Sequence, residues 1–294
     1  MKSNKVLIIK HGALGDIFMS FDSIKSIHNS YLDITICSTQ SGLNTLDLLG
    51  FKFDKILDNR HGIIESLKVL KKIVDGKFDI IFDLQNSKRT SSYLLFLRLF
   101  TSSVSNGTSF FACKRYIKDN INQHVTVGLK NQINLMGIKV SKDINFNKII
   151  KSNQVVIVPG SSIKGKRKRW PISKYKVVID FLVKKKVKCY VIGGKDELDL
   201  LKDIPTNKLV INLINQSPWE VVKKVSSISK VVISNDTSAM HYISNLNIPI
   251  IAIMKDDNYA IRNAPKSTNS IVLKNNNINN ILAQTVINEV TKFI

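Results

Sequence analysis

Several things are scarce in this sequence, and each shortage removes a class of protein. Cysteine is nearly absent: Cys37, Cys113 and Cys189 stand far apart in 294 residues, with no CxxC pair. That argues against a disulfide framework or a thiolate zinc site and for buried free thiols. No apolar run approaches the roughly 18 residues that span a bilayer; the best, residues 93–100, is short and carries Arg98. The five histidines (11, 28, 61, 124 and 241) are scattered, and there is no HExxH metal motif and no GxSxG nucleophile elbow. Carboxylates are few: 22 Asp and Glu face 44 Lys and Arg, for a net charge of +22. Both halves share the excess, with +9 over residues 1–150 and +13 over 151–294. Such a surface attracts polyanions, anionic lipid or phosphorylated substrates. Arginine is also scarce, at 7 of the 44 basic residues. A nucleic-acid reader leans on arginine's planar fork, so nucleic acid is not the expected partner. The abundant lysine, with much Asn and Ile, equally fits an A/T-rich coding bias.

What is present is a large apolar fraction, 44% of residues, enough for sizeable cores and too much for a disordered chain. Residues 1–10 begin lysine-rich and run through a short apolar stretch into a glycine turn. This reads as the first strand of a cytoplasmic protein rather than a signal peptide. Short β-rich runs (6–10, 32–37, 55–57, 78–84) alternate with helical patterns (17–30, 44–49, 63–74, 91–100). After a less regular stretch, 101–153, a second series follows. Its strands are 154–158, 188–192, 209–212, 230–234 and 248–254; its helices are 172–185, 195–201, 218–226, 238–246 and 278–293. The rhythm predicts an α/β protein of two parallel-sheet domains, 1–150 and 151–294, with a crevice between them. The C-terminal helix is expected to pack back on the first domain. Ligands of such sheets bind at the carboxyl ends of the strands, so the loops there are where chemistry is sought.

The first strand ends in Lys10-His11-Gly12-Ala13-Leu14-Gly15-Asp16. The spacing is neither the dinucleotide GxGxxG nor a Walker loop. Asp16 is placed to serve as a general base or as a simple helix cap. The second domain opens with Pro159-Gly160-Ser161-Ser162 and a basic run through Lys168 and Arg169 to Trp170-Pro171. It offers amides, hydroxyls and positive charge to an anion, and the Trp-Pro points to an ordered, docked segment. Gly193-Gly194 precedes Asp196-Glu197, whose carboxylates suit either ribose hydroxyls or a helix start. Asp236-Thr237-Ser238 leads into a helix with His241 one turn on, where hydroxyls, amides and an imidazole would meet a diphosphate. Asp256-Asp257 reads as a solvated pair.

The ordered set GxxGD, Asp83-Leu84-Gln85, PGSS, KxWP, GGxxE and SxDTxxxH resembles glycosyltransferase family 9, the ADP-heptose:lipopolysaccharide heptosyltransferases, over nearly the whole chain. The resemblance implies a GT-B fold, two Rossmann-like parallel-sheet domains facing across a crevice. It also implies an inverting, metal-independent transfer with no cofactor beyond the nucleotide-sugar donor, here ADP-heptose. By position, Asp16 matches the catalytic base, Lys168 a lysine on the donor phosphates, and Glu197 the acidic residue near the ribose. Asp236, Thr237 and His241 match the donor-sugar and diphosphate loop. Ser161, Ser162 and Ser238 complete the expected donor site, and Gly12, Gly15, Gln85, Arg89, Lys114 and Arg115 the expected acceptor side. Ser238 replaces the family's usual Gly, and Asn86 replaces a common Gly after Asp-x-Gln. The implied acceptor is an anionic lipid-linked glycan, with the enzyme peripheral on the inner face of the cytoplasmic membrane. Two other readings stay open: a GT-B transferase using another nucleotide-sugar, and a non-catalytic polyanion-binding protein.

Overall fold

The computed structural model describes residues 2–118, 120, 122–140 and 151–294. The chain divides into two compact units, Met1–Asp143 and Ile144–Ile294. The domain boundary expected near residue 150 falls in 141–150, outside the described residues.

The first unit is built on six strands: β1 (Lys2–Ile9), β2 (Tyr31–Ser38), β3 (Asp54–Leu57), β4 (Ile80–Asp83), β5 (Val104–Gly107) and β6 (Lys114–Arg115). They pair in the order β3-β2-β1-β4-β5-β6, every pair parallel. Its helices are α1 (Leu14–Met19), α2 (Phe21–His28), α3 (Gln40–Leu48), α4 (Gly62–Asp75), α5 (Lys88–Phe100) and α6 (Val125–Asn134). Both faces of the sheet are covered. Val6, Ile8 and Phe82 pack with Ile17, Ile24 and Ile133 on one side; Leu7, Ile9 and Ile81 pack with Leu70, Ile73 and Leu94 on the other. Burial on both faces is why these strands read as unbroken apolar runs rather than alternating ones.

The second unit repeats the plan. Its strands are β7 (Gln154–Val158), β8 (Lys188–Gly193), β9 (Val210–Ile214), β10 (Val231–Asn235), β11 (Ile250–Lys255) and β12 (Ile271–Asn275), in the order β12-β11-β10-β7-β8-β9. Here too all pairs are parallel. Helices α7 (Ile172–Lys184), α8 (Trp219–Ser227), α9 (Ser238–Asn245), α10 (Asn258–Asn263) and α11 (Ala283–Thr291) flank it. In both sheets the first and fourth strands of the series lie side by side and their connections depart in opposite directions. This is the topological switch point at which open α/β sheets leave a binding opening.

Several elements differ from the pattern in the sequence. The helix expected over 17–30 is broken at Ser20, whose hydroxyl donates to the Ile17 carbonyl at 2.8 Å and whose amide is shared between the Asp16 and Ile17 carbonyls. The irregular stretch after residue 101 holds β5, β6 and α6. Residues 195–203 form 3₁₀ rather than α turns. The C-terminal helix is α11 alone, preceded by a 3₁₀ turn at Ile278–Asn280. It packs on α7 and β11, and its Val286, Ile287 and Val290 belong to the core of its own unit. The thiols split, with Cys37 and Cys189 buried and Cys113 exposed. Asp257 accepts the Ala260 amide as cap of α10, and Asp256 pairs with Lys274 at 3.0 Å, so the acidic pair is structural.

Trp170 anchors the second core. Its indole is fully buried, lies edge-on to Tyr175, and donates Nε1 to the Ile281 carbonyl at 2.9 Å. Trp170→Ala is expected to lower stability by ~3–5 kcal/mol, read as a lower urea midpoint at unchanged slope for the second unit's transition.

Candidate active site

In the first unit the opening lies between the ends of β1 and β4. Gly12 follows β1 at φ +115°, a backbone state that glycine alone enters without strain. A Cβ there would lie 2.7 Å from Asp16 Oδ2, so the carboxylate of Asp16, part-exposed in the first turn of α1, folds over the bare glycine. Gly15 precedes it within α1. Beneath lies Lys10, a buried ammonium donating to the Leu84 carbonyl at 3.2 Å. Burial lowers its pKa, while the nearby Asp16 and Asp83 carboxylates act to hold the charge. Asp83, at the end of β4, accepts the Gln85 and Asn86 amides at 3.1 and 3.0 Å. Burial nonetheless raises its pKa.

Asn86 sits at φ +52°, in the left-handed region that asparagine tolerates. Its side chain is then used twice, accepting the Thr108 amide at 2.8 Å and donating to Gln132 Oε1 at 2.7 Å.

Beside this loop is a cavity of about 510 Å³ lined by His11, Asn59, Arg60, His61, Gln85, Ser87 and Arg89. Its wall is fixed by a residue that sequence reasoning missed. Asp58, fully buried just after β3, receives Arg89 Nη2 at 3.0 Å, the Tyr93 hydroxyl at 2.9 Å and the Arg60 amide at 2.9 Å. His11 Nε2 lies 3.1 Å from its other side. Burial acts to raise the Asp58 pKa, but the hydrogen bonds from His11, Tyr93 and the Arg60 amide outweigh it and hold it at about 2. The ligand atoms of His11, Cys37 and Asp58 lie within 4.8 Å of one another, a grouping invisible in the sequence. Its donor set suits a hydrogen-bonded anchor better than a cation. Arg89 already balances Asp58, and burial pushes the Cys37 thiol up, away from the thiolate a metal needs.

The expected acceptor residues thus separate. Gln85 and Arg89 line the cavity, and Gly12 and Gly15 shape the Asp16 turn. Lys114 and Arg115 sit exposed on β6 and are not among the lining residues.

The second unit's site lies between the ends of β7 and β10. Asn235, fully buried, ties the walls together: its carbonyl oxygen accepts the Trp170 amide at 3.1 Å and the Tyr175 hydroxyl at 3.0 Å, and its amide donates to the Pro159 carbonyl at 2.6 Å. The basic run after Ser162 is ordered as a 3₁₀ turn, Ile163–Lys168. Arg169 locks it, donating to the Ser161 carbonyl at 2.6 Å and the Asp196 carbonyl at 2.8 Å and pairing with Asp199 at 3.0 Å.

Lys168 is thereby delivered to Asp236 at 2.7 Å, and its ammonium lies 4.1 Å from the Tyr259 ring centre. His241 Nε2 is 3.5 Å from the other Asp236 oxygen. Burial opposes both charges, yet the contacts from His241 and Lys168 lower the Asp236 pKa, and Asp236 raises that of Lys168. Thr237 caps α9, accepting the Met240 amide at 3.2 Å; Ser238 is its first residue. Glu197 lies folded over Gly160, where any Cβ would overlap it, with Oε2 accepting the Gly194 amide at 2.6 Å. Burial raises its pKa against the pull of that amide and of Arg169. The Ser161 hydroxyl is spent on the Gly165 carbonyl at 2.7 Å, leaving Ser162 exposed. Arg169, Asn235 and Tyr259 were not singled out from the sequence as site residues.

Residues 128–290 match the family model described as glycosyltransferase family 9 (heptosyltransferase). The sequence matches no curated protein. Among solved structures, the fold is similar to a glycosyl transferase family 9 protein from Veillonella parvula, at 17% identity and TM-score 0.81 over 100% of this chain and 98% of that one. It is also similar to ADP-heptose lipopolysaccharide heptosyltransferase II of E. coli (16%, TM-score 0.74, 98% of each chain). A third is the E. coli heptosyltransferase WaaC with ADP (15%, TM-score 0.75, 99% of this chain and all of that one). The two six-stranded parallel sheets are those of the GT-B fold class.

The Asp58 anchor sets an acid response. A carboxyl whose folded pKa is about 2, against an ordinary 3.8, contributes stability that is complete above the unfolded value and is lost as pH falls through the folded one. Between about pH 4 and pH 2 the first unit is expected to lose about 2 kcal/mol from this group. Asp58→Asn should show a correspondingly flatter acid dependence in denaturant titrations at successive pH values.

Proposed function

The chain belongs to glycosyltransferase family 9 (heptosyltransferase), and from that premise we propose that it moves a heptose from ADP-heptose to an anionic, lipid-linked glycan, without metal and with inversion at the anomeric carbon. That it is a glycosyltransferase follows from the family; donor, acceptor and residue roles are our reading. The observation that carries it is the Lys168–Asp236–His241 cluster at the switch point of the second sheet.

In this reading the donor diphosphate lies at Lys168 and the start of α9. As the bond from the anomeric carbon to the diphosphate oxygen breaks, negative charge grows on the leaving ADP. The Lys168 ammonium, the Thr237 hydroxyl and the first amides of α9 stabilise it without reorganising. Asp236, itself held by His241, grips Lys168, and the pair faces the sugar. Glu197 keeps one carboxylate oxygen for the ribose while the other is bound by Gly194.

Asp16 takes the proton from the acceptor hydroxyl as that oxygen bonds to the anomeric carbon. Its part-exposed position over Gly12 supports the role. The cavity of the first unit, with Arg60, His61, Gln85 and Arg89, receives the acceptor's anionic groups. Among the described residues no helix is long and apolar enough to cross a membrane, and we place the enzyme peripherally on the inner leaflet.

Two substitutions separate the roles. Asp16→Asn should cut turnover at least a hundredfold with ADP affinity within about twofold of wild type; retained turnover would remove Asp16 as base. Lys168→Ala should weaken ADP binding about tenfold or more in calorimetry, and thermal shifts across a panel of nucleotide-sugars should be largest with ADP-heptose.

A further inference from the structure

The start of α4 exposes what a soluble helix hides. Its inner face, Val69, Leu70 and Ile73, is buried in the core. On its outer face Ile63, Ile64 and Leu67 are 79%, 73% and 56% exposed. Spacings of three and four residues place Leu67 on one ridge with both isoleucines, where a solvent-facing helix carries polar side chains. One turn further Lys71 continues that ridge, paired with Asp75 at 2.6 Å, and Lys68 and Lys72 are exposed on its flank. The single carboxylate of the segment 62–72, Glu65, is turned away to accept the Asn59 and His61 amides.

A second exposed apolar group lies in the same unit. Asp58, in the loop before α4, grips Arg89 at the start of α5, and Ser91 of α5 bonds Ser109 at 2.7 Å. Next to Ser109 stands Phe110, 72% exposed, with the Arg115 guanidinium 5.7 Å from its ring centre.

We infer that the tip of α4, with Phe110, is a docking surface for an anionic lipid leaflet. The order of chemistry along α4 fits that partner: an apolar tip for the acyl boundary, then a lysine collar for the phosphate headgroups. Charge selects lipid over a second copy of this chain, since two molecules of net charge +22 repel while an anionic leaflet attracts. Asn59, Arg60 and His61, which lead into the tip, also line the cavity. Docking therefore holds that cavity at the headgroup level, where a lipid-linked acceptor presents its polar part. The inference deepens the lipid-acceptor reading above and rests on it. It also assigns Lys114 and Arg115, left outside the cavity, to the headgroups.

The test is flotation with vesicles of phosphatidylethanolamine and phosphatidylglycerol, against pure phosphatidylcholine, at about 0.1 M and about 0.5 M sodium chloride. At the higher salt, screening shortens to about 4 Å and purely electrostatic adhesion fades. The wild type is expected to float with the anionic vesicles and to keep a salt-resistant bound fraction. Ile63→Ser/Ile64→Ser/Leu67→Gln should lower that fraction at least tenfold, and Phe110→Ser alone should lower it measurably. Lys68→Gln/Lys72→Gln should weaken binding only at low salt. ADP binding and thermal unfolding, measured on every variant, should match wild type.

Salt-resistant flotation unchanged in the triple and Phe110 variants would overturn the inference. So would failure of the wild type to float, or a wild-type dimer in sedimentation that the triple variant converts to monomer. Failure of the functional reading shows separately, as absence of ADP binding in the wild type.

Discussion

Neighbouring parallel strands whose crossovers leave in opposite directions cannot both be roofed by the helices that follow them. In the first sheet this happens between β1 and β4, in the second between β7 and β10. At each place the backbone amides and carbonyls at the strand ends have lost their ladder partners and must be satisfied by side chains, turns or a ligand. The Gly12 turn with Asp16 grows from the first opening, and the Asn235 cross-tie with Lys168 and Asp236 from the second. Both sites are consequences of one connectivity applied twice, which is why they look alike in plan.

Each opening is then stiffened by a buried polar residue that spends its hydrogen-bonding capacity on the walls. Asp58 holds Arg89, Tyr93 and the Arg60 amide, and Asn235 holds Trp170, Tyr175 and Pro159. Burying a carboxylate or an amide is costly unless every lone pair and proton finds a partner. Both are well supplied, so the cost is offset and the loops are fixed before any ligand arrives. The cationic groups differ in how firmly they are held. Arg169 is spent on carbonyls and Asp199. Lys168 lies between Asp236 and the face of Tyr259, and a neutral ring keeps an ammonium in place without competing for it as a second anion would.

Much of this was legible in the residues. Strands such as 154–158 and 230–234 are apolar throughout because helices cover both faces, and that continuity marks a parallel sheet. The turns that matter announce themselves by Gly, Ser and Asp at strand ends. Asn86 sits at positive φ with its side chain bonded on both sides, a turn that its residue type suits. What escaped notice was set by tertiary contact. The partners of Asp58 lie at 11, 60, 89 and 93, and no local pattern connects them. The break at Ser20 depends on a hydroxyl turning back on its own helix. Strand β6 has two residues and no periodicity to detect.

What the chain does to an activated sugar is decisive. Incubation with ADP-heptose and a lipopolysaccharide inner-core acceptor, followed by mass spectrometry and proton NMR of the product, tests it most directly. The prediction is one heptose added per acceptor, with inverted anomeric configuration and equimolar release of ADP. Retained configuration, or no acceptor-dependent release of ADP, would contradict it.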